Sequence, residues 1–186
     1  MGTRKRIFIS FKFSDSKFFA EALAESLKRR GFDVDICTDP KMNSHSIFEF
    51  EQKIKTDDFV VFIMTNPWAV SFDCAYEASL WFSEKTKNPC NCQCYVAPDF
   101  QWNLFNNSFN VDKHIFGKNP ERVSNAESLN VFFLSHEPYD KNLVDAAATY
   151  LNCIRNFYPQ FLAQVKGVGM RPYQYIKSDV LATKEN

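Results

Sequence analysis

The sequence predicts an α/β fold, a three-layer sandwich in which helices cover both faces of a central parallel sheet. Three observations predict it. Segments with strand patterning and segments with helix patterning alternate through the first half of the chain, as βαβ units do. Phe59-Val-Val-Phe-Ile-Met64 is apolar at every position, which suits a central strand covered on both sides. The first helical segment closes with Arg29-Arg30-Gly31: cations that complement the helix dipole, then a residue free to turn left-handed.

The elements follow in order. Ile7-Phe-Ile-Ser-Phe11 predicts a short buried first strand. Ser14, Asp15 and Ser16 are N-cap candidates, since their side-chain oxygens can accept from the free N–H groups of a first turn. Residues 17–30 carry Phe19, Ala22, Leu23, Ser26 and Leu27 at helical spacing. Asp33-Val-Asp-Ile36 alternates, as a half-buried strand does. Residues 37–46 read as a polar loop containing Asp39-Pro40. Residues 47–55 read as a second helix with Ile47, Phe50, Glu51 and Ile54 on one stripe. Beyond the central strand, residues 65–72 read as a loop and residues 73–85 as a third helix capped by Ser71. Tyr95-Val-Ala97 is a short strand, Val131-Phe-Phe-Leu134 another, and residues 141–157 a final amphipathic helix. Residues 98–128, rich in Asn and dotted with Phe and Trp, read as an insertion or irregular region. The expectation is one domain over residues 1–166 and a loosely ordered tail over 167–186.

Composition narrows the function classes. A chain of 186 residues, 45% hydrophobic, has room for one sizeable core, and its 20 phenylalanines predict an aromatic one. Lys+Arg and Asp+Glu number 22 each, so the basic excess of a general nucleic-acid binder is missing. No run approaches the ~20 apolar residues of a membrane helix. The apolar run after the basic start, residues 7–11, is too short for a secretory signal. A cytoplasmic protein with neither a nucleic-acid nor a membrane partner is expected, and its six cysteines are expected as thiols. Cys90, Cys92 and Cys94 alternate along Cys-Asn-Cys-Gln-Cys; that is not zinc spacing and no second pair exists, so no metal is expected. His45, His114 and His136 are scattered and read as structural or surface residues.

In open parallel sheets ligands bind outside the carboxyl ends of the strands, which directs attention to residues 10–16, 37–46, 65–73 and the loop after Leu134. Several chemistries are missing there. No Gly-x-Gly-x-x-Gly follows the first strand and no P-loop exists. No acid pair suits a phosphoacceptor site, no glycine near Ser14 suits a flavin phosphate loop, and no Gly-x-Ser-x-Gly elbow occurs. What remains is Glu77, on a helical stripe with Cys74, Ala78 and Trp81. A core does not select a carboxylate for such a stripe, and burial there would raise its pKa. The ordinary alternative is a helix glutamate that reaches solvent or meets Lys12.

These residues resemble a known family. Arg6-Ile-Phe-Ile-Ser-Phe-Lys-Phe-Ser-Asp15 resembles the first motif of TIR (Toll/interleukin receptor) domains, and Gly31-Phe-Asp-Val-Asp-Ile-Cys-Thr-Asp39 their second strand with the entry to the BB loop. Ser71-Phe-Asp-Cys-Ala-Tyr-Glu77 resembles the family's Ser-x-Trp-Cys-x-x-Glu helix start. The resemblance covers about residues 6–86 and implies a flavodoxin-like sandwich.

It also implies a function. Many TIR domains cleave NAD at the nicotinamide–ribose bond with the glutamate of that helix, here Glu77. NAD is then substrate, and no further cofactor or metal is implied. Cys74 falls on the family's cysteine, and Asp73 stands where the family often has Trp. Phe72 or Trp68 is then the candidate for stacking, or Asp73 binds a different group. Ser10, Phe11 and Lys12 end the first strand: Lys12 is placed to meet a pyrophosphate and Phe11 to stack on a ring. Their structural alternatives are a buried hydroxyl, a solvated lysine and a core phenylalanine. Asp39 and its loop are placed to gate the site. Bacterial TIR enzymes often make ADP-ribose-derived signals during phage infection, read by a downstream effector, and catalysis often needs homo-oligomers formed by TIR–TIR contacts. Two alternatives stay open: a non-catalytic TIR adaptor, and a nucleoside deoxyribosyltransferase-like enzyme.

Overall fold

The structure is a computed structural model that describes residues 4–38, 47–84, 91–102, 142–167 and 171–172. For 47–49, 72, 142–151, 167 and 171–172 it describes the backbone alone. Among the described residues the strands are β1 (Arg6–Ser10), β2 (Asp33–Asp35), β3 (Phe59–Met64), β4 (Cys92–Val96) and β5 (Arg171–Pro172). The helices are α1 (Phe13–Arg29), α2 (Ile47–Gln52), α3 (Asn66–Ala69), α4 (Phe72–Ser83) and α5 (Asn142–Gly167). The strands form one sheet in the order β2-β1-β3-β4-β5, every neighbouring pair parallel. This is the doubly wound flavodoxin-like order that the sequence predicts.

β3 lies between β1 and β4 and is buried over Val60–Met64, which explains its unbroken apolar run. Its alternate residues feed two cores. Val61 and Ile63 join Ile7, Ile9 and Phe11 beneath Ala20, Leu23 and Ala24 of α1. Val60, Phe62 and Met64 join Phe8 beneath α4 and α5, among Trp81, Tyr158 and Phe161. Aromatic rings dominate this second core, with Phe62 and Phe161 4.9 Å apart in an edge arrangement.

Several expectations need correction. α1 begins at Phe13, with Lys12 as N-cap and no side-chain cap, so Ser14, Asp15 and Ser16 are not caps. The Lys12 carbonyl accepts directly from the N–H groups of Asp15 and Ser16, so strand passes to helix with no room for a capping turn. The helix stop is as predicted: Gly31 has φ +89°, Gly31 N–H donates to Lys28 O and Phe32 N–H to Leu27 O. The expected second helix splits into α2 and a 3-10 turn at Lys53–Lys55. Residues 65–72 are not all loop, for α3 forms there; Thr65 caps it by accepting from Trp68 N–H at 3.2 Å, and Pro67 suits its first turn. β4 starts earlier than expected because Cys92 pairs with Val60. α5 runs ten residues past 157, since Tyr158, Phe161, Leu162 and Val165 continue its apolar stripe despite Pro159. Within the tail expected to be loose, Arg171–Pro172 adds an edge strand, where proline's missing donor is tolerated. The strand expected at 131–134, most of the region 98–128, and Asp39 lie outside the described residues.

At the amino ends of the strands, charges pair closely. Arg6 Nη2 lies 3.1 Å from both Asp35 Oδ2 and Asp57 Oδ1, and Lys53 Nζ is 2.9 Å from Asp35 Oδ1. Asp58 Oδ2 accepts from Arg6 N–H at 2.9 Å. Burial pushes the Asp35 carboxyl up, but hydrogen bonds from Lys53 and Arg6 outweigh it and hold the group below its ordinary 3.8. The folded state thus favours ionised Asp35; that stability is present above pH 3.8 and is lost as pH falls through the lower folded value. Asp35→Asn is expected to cost about 1–2 kcal/mol at pH 7, less than a fully buried pair because Arg6 is 40% exposed. Urea unfolding checks this, and the gap between variant and parent should close below pH 3.8.

Candidate active site

The site assembles at the opposite edge, where β1 ends and α4 begins. β1 alternates, so Phe8 and Ser10 face α4 while Ile7, Ile9 and then Phe11 face α1. Ser10 is fully buried under α4. Two contacts fix the first turn of α4 against the end of β1. Cys74 Sγ donates to the Phe11 carbonyl at 3.6 Å, and Lys12 Nζ donates to Ser71 Oγ at 3.1 Å. Ser71 is the N-cap residue, as expected, but makes no side-chain cap hydrogen bond.

Glu77 sits one turn inside α4 and is only 7% exposed. It does not reach solvent, against the ordinary alternative. The Ser10 hydroxyl hydrogen-bonds its carboxyl, while Oε2 is buried with no hydrogen-bond partner among the described residues. Burial pushes its pKa up to about 8; Ser10 and the charge of Lys12 oppose the rise, and Asp73 adds to it. Ser10 is itself held from behind, accepting from Trp68 Nε1–H at 2.9 Å.

Ser10, Lys12, Asp73, Cys74 and Glu77 thus come together at this edge. Phe11 and Trp68 do not present free faces. Phe11 points into the α1 core because it lies one residue from Ser10 along an alternating strand. Trp68 is 0% exposed, its ring centroid 5.8 Å from Phe62, 6.2 Å from Tyr158 and 6.3 Å from Phe161. Neither can stack on a ligand. The side chain of Phe72 lies outside the described residues, as does Asp39.

One residue escaped the sequence reading. Cys37, just beyond β2, has its thiol pushed up to about 12 by burial and then by the charge of Glu77, with Asp73 contributing. Its place at the carboxyl end of a strand was the available signal. Burial and then Glu77 raise Cys74 as well, so both thiols flanking the carboxyl stay protonated and are poor nucleophiles. Cys92 and Cys94 share one face of β4, their sulfurs 3.7 Å apart, and Cys90 lies outside the described residues. Among the described residues no three His, Cys, Asp or Glu side chains gather as a metal would need. Nor is any described helix long and apolar enough to cross a membrane.

No protein-family model and no curated protein matches this sequence. The fold does have a counterpart. It is similar to the TIR domains in the structure of the activated Roq1 resistosome directly recognizing the pathogen effector XopQ. The TM-score is 0.51 at 16% identity, over 97% of this chain and 96% of that one. The chain therefore has the fold of a TIR domain.

Burial of Glu77 has a measurable cost. An unfolded glutamate titrates near 4.5 and the folded one near 8, so between these values only the folded state keeps the proton. The stability tied to this group is full below pH 4.5 and declines as pH rises to about 8. Glu77→Gln escapes the decline. Its melting temperature should exceed the parent's by about 5 °C or more at pH 8.5, at about 2–4 °C per kcal/mol for this size, and the gap should shrink at pH 5.

Proposed function

We propose that this chain is a cytoplasmic enzyme that cleaves NAD at the nicotinamide–ribose bond, with Glu77 as the catalytic carboxylate. One observation carries the reading: Glu77 is buried at the ligand-binding edge of the sheet, oriented by Ser10, with Oε2 unpartnered among the described residues. That oxygen is an acceptor awaiting a donor, and the hydroxyls of a ribose are donors of the right kind. As nicotinamide leaves, positive charge builds on the ribose, and a fixed carboxylate beside it lowers the barrier. The leaving ring is already cationic, so no acid is needed to protonate it. Lys12 is near enough to the carboxyl to act on its pKa and would serve the pyrophosphate. Water as acceptor gives ADP-ribose; an adenine nitrogen gives a cyclic form; another small molecule gives a conjugate.

The resistosome likeness supports action within an assembly of TIR domains, and we extend the proposal to signalling in antiphage defence through an effector that reads the product. Asp73, in the place where many TIR enzymes carry Trp, favours a second reading, a TIR adaptor that assembles without turnover.

NAD turnover by the purified protein separates the two. The assay is run at high protein concentration, with and without cell extract, with products resolved by mass spectrometry. Glu77→Gln is expected to lower turnover by about 10²–10³-fold or more. Absence of turnover in every condition favours the adaptor. The working form is the carboxylate, and the free enzyme holds the proton up to about pH 8. kcat/KM should therefore rise with pH and level off above about 8, while kcat, read on the complex with its cationic ring, should level off at lower pH. A kcat/KM that falls through pH 8 would assign the work to the protonated acid instead.

A further inference from the structure

We propose that Trp68 is a positioning residue for Glu77, acting through Ser10: its indole N–H occupies the Ser10 oxygen and turns the hydroxyl proton onto the carboxylate.

The indole N–H is a donor only, and it lies 2.9 Å from Ser10 Oγ. Ser10 is fully buried, so its own proton must find an acceptor within the protein. Trp68 cannot accept it, and the acceptor to which Ser10 is bonded is Glu77. A free serine can donate to a carboxylate or accept from a carboxylic acid with equal ease. The indole biases this one toward donating, which favours the charged form of Glu77. The other groups acting on that carboxyl are Lys12 beyond β1 and Asp73 on α4, while the thiols of Cys37 beyond β2 and Cys74 on α4 feel its charge. None is a ring neighbour of Trp68, whose ring meets Phe62, Tyr158 and Phe161.

The indole is itself rigidly placed. Thr65 caps its backbone N–H, and Tyr158 Oη from α5 donates to the Ala69 carbonyl at 2.7 Å. The turn after β3 and α5 therefore bear on the carboxylate through Trp68 and Ser10.

The test is a ¹³C titration of the Glu77 side-chain carboxyl, its signal assigned by its loss in Glu77→Gln. Any consequence for turnover rests on the NAD-cleaving reading; the titration does not, so the two can fail separately. Trp68→Phe keeps an aromatic ring and removes the donor. It should raise the Glu77 midpoint by about half a pH unit, the scale of biasing rather than removing the Ser10 hydrogen bond. Ser10→Ala should raise it too, and Trp68→Phe should add nothing on that background. Phe161→Leu, which trims the same aromatic cluster without touching Ser10, should lower stability and leave the midpoint unmoved. An unchanged midpoint in Trp68→Phe overturns the proposal, as does an equal rise with Ser10 already absent. Should Trp68→Phe not fold, the parent protein still decides. Its Trp68 indole N–H resonance should titrate with Glu77 and cease to do so in Ser10→Ala; an indole blind to Glu77 in the parent overturns the proposal.

Discussion

The two-residue period of β1 decides what the site can be. Successive side chains of a strand leave opposite faces of the sheet. With Phe8 set into the α4 core, Ser10 must follow it there and Phe11 must go to the α1 side. A shift of one residue would place a phenyl ring against Glu77 and leave the serine among the aliphatics beneath α1. Glu77 would then be buried with no hydroxyl to meet it, and the Trp68 N–H would lose its acceptor. The parallel register fixes this choice, pairing Ser10 with the fully buried Phe62 of β3. The alternation that builds the core also brings Ser10, at the carboxyl end of β1, to the carboxylate.

The two ends of the sheet treat charge differently. At the amino ends, Arg6 and Lys53 pair with Asp35, Arg6 also pairs with Asp57, and the Arg6 N–H donates to Asp58, so Asp35 stays ionised against its burial. At the carboxyl ends, Glu77 has a hydroxyl, a more distant ammonium and an adverse carboxylate, and burial prevails. Both are carboxyls in or near a core; they differ in the cations within contact. The paired end stabilises the fold, whereas the under-compensated end destabilises it at neutral and higher pH. Such a group persists where it has a use, which is why the imbalance weighs as evidence for chemistry.

Much of this was legible in the residues, and the misses have physical causes. β3 announced itself because six consecutive apolar residues admit few other placements, and Arg29-Arg30-Gly31 stopped α1 by mechanism. Glu77 stood out as an acid on an apolar stripe. Trp68 and Phe11 were misjudged for one reason: an aromatic near a site can stack on a ligand or fill a core, and only the facing direction separates the two. α3 has four residues, too few to show a period. α5 continues past 157 through Pro159 because buried rings on the same helix outweigh the hydrogen bond that proline removes. β5 consists of two residues and carries no alternation to read. Cys37 carries no sequence signal beyond its place after β2, and its thiol stays protonated within reach of the charge of Glu77.

Asp73 then takes on a definite sense. It lies in the first turn of α4, where the helix dipole favours a negative charge, and four residues before Glu77 on the same face. An aromatic ring there would exclude water; a carboxylate instead raises the proton affinity of its neighbour. The protein alone therefore holds Glu77 largely protonated at neutral pH, which limits the cost of burying it. A cationic ring entering beside two carboxylates reverses the balance, because an opposite charge at close range favours ionisation. On the NAD-cleaving reading, the substrate itself would draw out the carboxylate that acts on it. A neutral nicotinamide analogue of the same shape would leave the proton in place, so the site would discriminate by charge before any bond is broken.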